Sequence, residues 1–471
     1  MLSLLAKPLS VVNVGLAGFA EPVLAAGKEA VTLDWQPPAG GDARIGRLLA
    51  LLVGDPRVEE ANARAMKEYL AANPRLVGAA RAKDVLPGFT GRTILHSGPP
   101  AAFENMCGPA QGAVIGAILF EGWATDPAGA EKLARSGEIT FAPCHHYDAC
   151  GPMAGIVCPS MPMWIVDDPV HSHRTFSSFN EGLGKVLRFG AYSAEVLDRL
   201  ALMRDVLLPT LNAALENTGP IELKPLMALA LHMGDEVHNR NAAASSLLLK
   251  RLLPGLLADG MEPDAVRRTI AFISANDHSF LNVSMAACKA MLDAAHNIPG
   301  STMITVMARN GVEFGVRVSG AGDRWFVTES PKVQGLFFPG YSDADAARDL
   351  GDSAITETAG VGGFAMASAP AIVKFVGGTP EDALGYSREM GNITLGRNEN
   401  FTMPMLNFTG TPAGIDCRRV VDTGILPVIN TGIAHKDAGV GQIGAGVTRA
   451  PLACFTQALA AVAESLHGGK T

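Results

Sequence analysis

Between residues 180 and 297 apolar side chains recur every three or four positions. Val196, Leu200, Met203, Leu207, Leu211 and Ala214 form one such stripe, the core-facing side of an amphipathic helix. The pattern predicts further helices over 225–252 and 277–296. A chain with such a middle third cannot be one continuous sheet, so the flanks decide what surrounds it.

Upstream, strands over 10–14 and 30–34 enclose a helix over 19–26, a βαβ unit. Helices at 45–52, 58–70 and 110–120 follow, with strands at 92–96, 155–158 and 163–166. From Thr302 the period changes to two. Strands at 303–308 and 313–319 flank Asn310-Gly311, a pair that tolerates the positive φ of a type I′ hairpin turn. Gly-rich loops and a last apolar helix over 452–465 complete the chain. The expected fold is mixed α/β (α+β) and multidomain: an α/β domain over 1–175 containing the βαβ unit, a helical domain over 176–300, and an α+β domain with Gly-rich loops over 301–471. Three domains suit 471 residues at roughly 150 residues each.

Charge and hydropathy narrow the partners. The net charge is −8, and basic residues occur singly or in pairs such as Lys250-Arg251, so no basic stripe can neutralise a nucleic-acid backbone. Mean hydropathy is +0.20, yet an uncharged apolar stretch such as 358–373 falls short of the ~20 residues a membrane helix needs. Lys7-Pro8 interrupts the Leu-rich start, no signal peptide is read, and a cytoplasmic location is expected. Seven cysteines are expected as free thiols. Cys144-His145-His146 with Cys150 and Cys158 has the composition of a zinc site, but not the paired C-x2-4-C spacing. Buried thiols are expected there instead.

Two glycine patterns suggest nucleotide sites and fall short. Gly15, Gly18 and Asp34 make half of a dinucleotide fingerprint, but the middle glycine is missing and Trp35-Gln-Pro-Pro38 breaks the chain at once. Gly439-Val-Gly441-Gln-Ile-Gly444 matches G-x-G-x-x-G, but only a helix follows it. What remains is a Gly-rich loop through Gly446 whose backbone amides could cradle phosphate or another small anion. The glycines of 360–363 and 410–414 offer similar loops.

The densest chemistry lies in Leu231-His-Met-Gly-Asp-Glu-Val-His-Asn-Arg-Asn241. On a helix, His232, Asp235, Glu236 and Asn239 fall within about 100° of one another. His232 and His238 diverge by about 120°, which defeats a zincin chelate; a carboxylate-led divalent cation or substrate site stays open, beside a polar network between helices. Asn276, Asp277 and His278 open the next helix, on which His278, Asn282 and Lys289 share a face. Asn276 or Asp277 also suits a helix cap. Arg309, at the expected hairpin tip, offers a fork for carboxylate or phosphate.

Val12-Asn-Val-Gly15, Leu33-Asp-Trp-Gln-Pro-Pro38, Asn180-Glu-Gly-Leu-Gly184, His232-Met-Gly-Asp-Glu236, His238-Asn-Arg-Asn241, Asn276-Asp-His278, Arg309-Asn-Gly311, Asp349-Leu-Gly-Asp-Ser353 and Asn430-Thr-Gly-Ile-Ala-His435 together resemble a bacterial family long of unknown function. Its AllG-like members partner FdrA-type proteins similar to acyl-CoA synthetases. The resemblance runs nearly end to end. It implies a subunit of oxamate carbamoyltransferase, in a homo- or hetero-oligomer, converting oxalurate and phosphate to oxamate and carbamoyl phosphate during purine breakdown by way of allantoin. Such chemistry needs a phosphate cradle, a fork for a small anionic substrate and a proton carrier. The candidates are Gly439, Gly441, Gly444 and Gly446 for phosphate; Asn239, Arg240, Asn276, Arg309 and Asn310 for substrate; and His232, Asp235, Glu236, His238, Asp277 and His278 for catalysis. No metal ligands are assigned, although a divalent metal stays possible. A non-catalytic assembly subunit and a metal-dependent hydrolase are the alternatives.

Overall fold

The computed structural model describes residues 10–33, 35 and 37–468. Asp34, Gln36 and the Lys7-Pro8 region lie outside the described residues. The βαβ unit forms as expected: strands Ser10–Val14 and Glu29–Leu33 pair in parallel and helix Glu21–Ala25 crosses between them. Its apolar side chains stay exposed, Phe19 at 72% and Val12 at 62%.

The following α/β region is built on a five-stranded sheet. Its spatial order is Ala149–Cys150, His173–Ser178, Pro162–Asp168, Arg75–Arg81 and Ile221–Glu222. Arg75–Arg81 and His173–Ser178 were not among the expected strands, and the latter crosses residue 175. The expected strand at 155–158 is reduced to a single bridge between Leu95 and Val157. A parallel pair, Thr93–His96 with Thr140–Pro143, lies beside the sheet. Helix Gly108–Phe120 is apolar on all sides and buried. Gly112 lets it approach the chain at Gly190, whose carbonyl oxygen lies 2.5 Å from where a Cβ would sit.

The helical stripe packs as its spacing requires, with Val196, Leu200, Met203, Leu207, Leu211 and Ala214 all buried. The expected helix over 225–252 is two helices, Leu223–His232 and Ala242–Leu256. Between them Gly234 and Val237 take positive φ, 95° and 59°, a conformation an α-helix cannot contain. The next expected helix is shorter, Leu281–Asp293, and every residue of its first three turns is buried. It runs against the Pro162–Asp168 and His173–Ser178 strands. One apolar cluster reaches from Ala61 to Ala413 through all three sequence regions.

The C-terminal region carries the expected hairpin, Ile304–Asn310 against Glu313–Val318, with Gly311 at φ 83°. Phe326–Glu329 and Leu350–Gly351 extend it to four strands. Strands Gln334–Phe337, Gln442–Arg449 and Val428–Ala434 form a second sheet, and helix Leu452–His467 closes the chain. Among the described residues, no helix is long and apolar enough to cross a membrane.

Candidate functional site

The polar run at 232–241 is a set of closed hydrogen bonds rather than a helix face. Helix Leu223–His232 stops before Asp235, so His232, Asp235, Glu236 and Asn239 do not share the face their spacing predicts. Asp235 caps the next helix instead, accepting from the Ala244 N–H at 2.8 Å. Glu236 accepts from the N–H groups of Arg240 (2.5 Å) and His238 (2.9 Å). The His238 Nδ1 meets Glu357 at 2.8 Å, and Glu357 also accepts from Gly363 and Thr356. Arg240 donates to the Gly234 carbonyl. Of the fully buried side-chain atoms there, Asn239 Nδ2 and Asn241 Oδ1 lack partners. Burial pushes Glu236 up to about 7.

The remaining candidates are dispersed. His232 is exposed and bonds Thr402 at 2.8 Å. Asn276 ties Asn180 to the turn and accepts from the His278 N–H; Asp277 is exposed. Burial pulls His278 down to about 3. Arg309 is not a solvated hairpin tip. It is wholly buried, grips Asp349 with two nitrogens at 2.7 and 2.8 Å, and donates to the Gly351 carbonyl. Asn310 makes the turn itself, accepting from Val312 and Glu313. Gly439 and Gly441 lie in a loop, but Gly444 and Gly446 belong to strand Gln442–Arg449. There they let the Gln334–Phe337 strand approach so closely that a Cβ would meet carbonyl oxygens at 2.3 and 2.2 Å. A four-glycine phosphate loop is therefore not formed.

None of these side chains lines the large cleft, a space of about 1090 Å³ between the five-stranded sheet and the C-terminal hairpin. Four parts of the fold bring groups to it. The short helical turn Cys144–Tyr147 and its successor give His145, His146 and Asp148. The turn joining strands Pro162–Asp168 and His173–Ser178 gives Asp168, His171, His173 and Arg174. Helix Leu281–Asp293 and the turn beyond it give Lys289, Asp293 and His296. Strand Glu313–Val318 and the following loop give Arg317 and Asp323.

These groups are held but not closed on one another. The Lys289 Nζ lies 2.9 Å from Asp293. Asp323, 77% exposed, pairs with Arg317 and also stands 3.2 Å from the His296 Nε2. Trp325 donates its indole N–H to the His146 Nε2 at 2.9 Å and lies under the Arg317 guanidinium. Both ring nitrogens of buried His145 lack partners, as does the Arg317 Nε. Leaving a buried polar group unpaired costs roughly 1–3 kcal/mol, and closed interiors avoid it. Asp352 stands behind His145 at 3.6 Å, accepting from the Gly98 and Gly151 N–H groups.

The electrostatics set this wall apart. Burial, then the charges of Lys289 and Arg317, hold His145 well below the usual imidazole range. Burial and Arg317 bring His296 down to about 4. Burial pushes Asp352 up to about 7 and raises Asp148. Asp148 also sits in the left-handed region at φ 53°, a strain that concentrates at working sites. All seven cysteines are free. Among the described residues, no three His, Cys, Asp or Glu side chains converge as a metal-ligand set.

Sequence reasoning weighed Cys144-His145-His146 only against zinc spacing and placed Lys289 only on a helix face. The available signal was a second dense run, Asp167-Asp168 followed by His171, His173 and Arg174.

A family model described as oxamate carbamoyltransferase subunit AllG matches residues 139–353, a span that holds every charged group of the cleft. The uncharacterised Escherichia coli K12 protein YahG is 48% identical over 460 residues, 97% of this chain and 98% of that protein. The oxamate carbamoyltransferase subunit AllG of the same organism is 48% identical over 415 residues, 88% of this chain and 99% of that one. A crystal structure of a conserved protein of unknown function from Enterococcus faecalis V583 superposes with a TM-score of 0.86 at 49% identity, covering 87% of this chain and 98% of that chain.

Proposed function

The chain belongs to the family of the oxamate carbamoyltransferase subunit AllG, and on that premise we propose that it is a subunit of a carbamoyltransferase complex whose chemistry occurs in the His145–Arg317 cleft. The reaction is the transfer of a carbamoyl group between oxalurate and phosphate in allantoin breakdown, and the partner is an FdrA-type acyl-CoA-synthetase-like subunit. A phosphate oxygen attacks the carbamoyl carbon, the C–N bond breaks, and the departing nitrogen takes a proton to become the amide of oxamate. Carbamoyl phosphate is the other product.

The observation that carries this reading is the gathering of Lys289, Arg317, His145 and His296 at the inner end of the cleft, with both His145 nitrogens and the Arg317 Nε buried and unpartnered. Arg317 and Lys289 neutralise the charge that develops on the transferring group. Arg174 is placed to hold the substrate carboxylate, and Asp148, its acidity weakened by burial, to supply the proton. Residues 235–241, Asn276, Arg309 and Asn310 then act by holding the surrounding walls.

Reconstitution with the FdrA-type subunit and measurement of carbamoyl phosphate from oxalurate and phosphate tests the reading; repeating it with a chelator shows whether a divalent ion takes part. Loss of turnover in Arg317→Ala, in a complex that still assembles, is expected. Wild-type turnover in that variant contradicts it. A second reading, an assembly subunit without chemistry of its own, draws on the exposed apolar N-terminal unit. It predicts that only deletion of residues 1–35 lowers activity.

A further inference from the structure

We propose that the inner end of the cleft is a subsite for a tetrahedral oxyanion, in which Arg317, Lys289 and His296 surround the ligand with His145 behind them, Asp323 occupies its place when it is absent, and binding takes up protons. The inference rests on the functional reading above for the identity of the ligand as phosphate or its carbamoyl ester, and on geometry for the rest.

The donors arrive from separate elements, a buried helix (Lys289), the turn beyond it (His296) and a strand (Arg317), and the helical turn that carries His145 backs them. A planar carboxylate is satisfied by one fork, whereas a tetrahedral anion accepts from several directions at once. The Arg317 guanidinium lies over the Trp325 ring, 5.7 Å from its centre, and that ring is tied to His146 by its N–H. The fork is thereby held in one orientation before any ligand arrives. Its Nε and both nitrogens of His145 are buried and unpartnered.

Asp323 identifies what is missing. Its carboxylate bridges Arg317 and His296, yet the side chain is 77% exposed. A structural counter-ion for a buried arginine is itself buried, as Asp349 is for Arg309. An exposed one can swing away when a stronger anion enters. Of the other carboxylates near this wall, Asp293 is held on Lys289 and Asp352 by two backbone N–H groups, and Asp148 is the proton donor named above. With Asp323 displaced, the groups around this space are Lys289, Arg317, His145, His146 and His296, with Asp148 and Asp293 the remaining carboxylates. The mutual repulsion and burial that keep the imidazoles neutral are offset by a dianion among them. Ligand and protons therefore bind together.

The test is calorimetric titration of the full chain with inorganic phosphate at pH 8, where the free ligand is already the dianion, in two buffers of different ionisation enthalpy. Net proton uptake on binding is expected. Arg317→Ala should weaken affinity at least roughly tenfold, with partial recovery in Arg317→Lys, and His145→Asn should reduce the proton uptake. Asp323→Asn should tighten binding several-fold, a gain that misfolding cannot mimic. Absence of phosphate binding by the wild type, binding without proton uptake, or weaker binding in Asp323→Asn overturns the proposal. If phosphate binds as described but the reconstituted complex makes no carbamoyl phosphate, the subsite stands and the functional reading fails. If Arg317→Ala abolishes carbamoyl phosphate formation while phosphate binding is unchanged in that variant, the functional reading stands and the subsite fails.

Discussion

Two regions of this molecule are equally rich in histidine, aspartate and arginine, and they do opposite things with them. Around Glu236, His238, Glu357, Arg309 and Asp349, nearly every donor meets an acceptor and little is exposed. Around His145, Lys289, Arg317 and His296, the groups face a space of about 1090 Å³ and keep unpartnered nitrogens. His296 in the wall and Glu236 in the network respond to pH with opposite sign. Polar density in a sequence announces that partners are needed; whether the protein supplies them or leaves them to a ligand is settled only by tertiary structure.

The largest effect that distinguishes the two is on stability. Arg309→Ala strands Asp349 as an unpaired buried charge and should cost about 3–5 kcal/mol in denaturant unfolding. Arg317→Ala should cost less than about 1.5 kcal/mol, because its partner Asp323 returns to water. Reversal of that order would break the comparison. In turnover the roles exchange: Arg317→Ala should lower the rate of the assembled complex by roughly 10²–10³-fold, the scale of one lost oxyanion donor.

The pH response sharpens the contrast. His296, brought to about 4 by burial and Arg317, has a folded pKa below its unfolded value. Its contribution to stability is fully present above about 6.5 and is lost as pH falls toward 4. Glu236, raised to about 7 by burial, contributes below about 4.5 and loses that contribution as pH rises through 7. His296→Asn should therefore flatten the acid limb of the stability profile by at most about 3 kcal/mol and leave the limb above pH 6.5 unchanged. The smallest expected effect is Asp235→Ala, which removes a helix cap at a cost of about 1 kcal/mol, with turnover per folded complex unaltered.

What was legible in the sequence was local. The hairpin at Asn310-Gly311, the 196–214 stripe, the βαβ unit and the last helix each follow from neighbours in the chain. Arg75-Leu-Val-Gly-Ala-Ala-Arg81 escaped because Gly78, Ala79 and Ala80 lack the β-branched and aromatic side chains that mark a strand. The break after His232 escaped because Val237 takes positive φ only where Glu236 gathers the surrounding N–H groups. Arg309 read as a turn residue because Asp349, Gly351 and Thr431, its partners, are far along the chain. The cleft joins positions 145, 173, 289 and 317 through packing alone, and no spacing rule connects them. Family membership, by contrast, was carried by short motifs spread over the whole chain.

The central claim is that the working site is the open wall and not the sealed network. A crystal soaked with carbamoyl phosphate and oxamate tests it most directly. Phosphoryl density between Arg317 and Lys289, with Asp323 turned away, is the predicted result; density beside residues 232–241 or at Gly439–Gly441, with the wall unchanged, would contradict it.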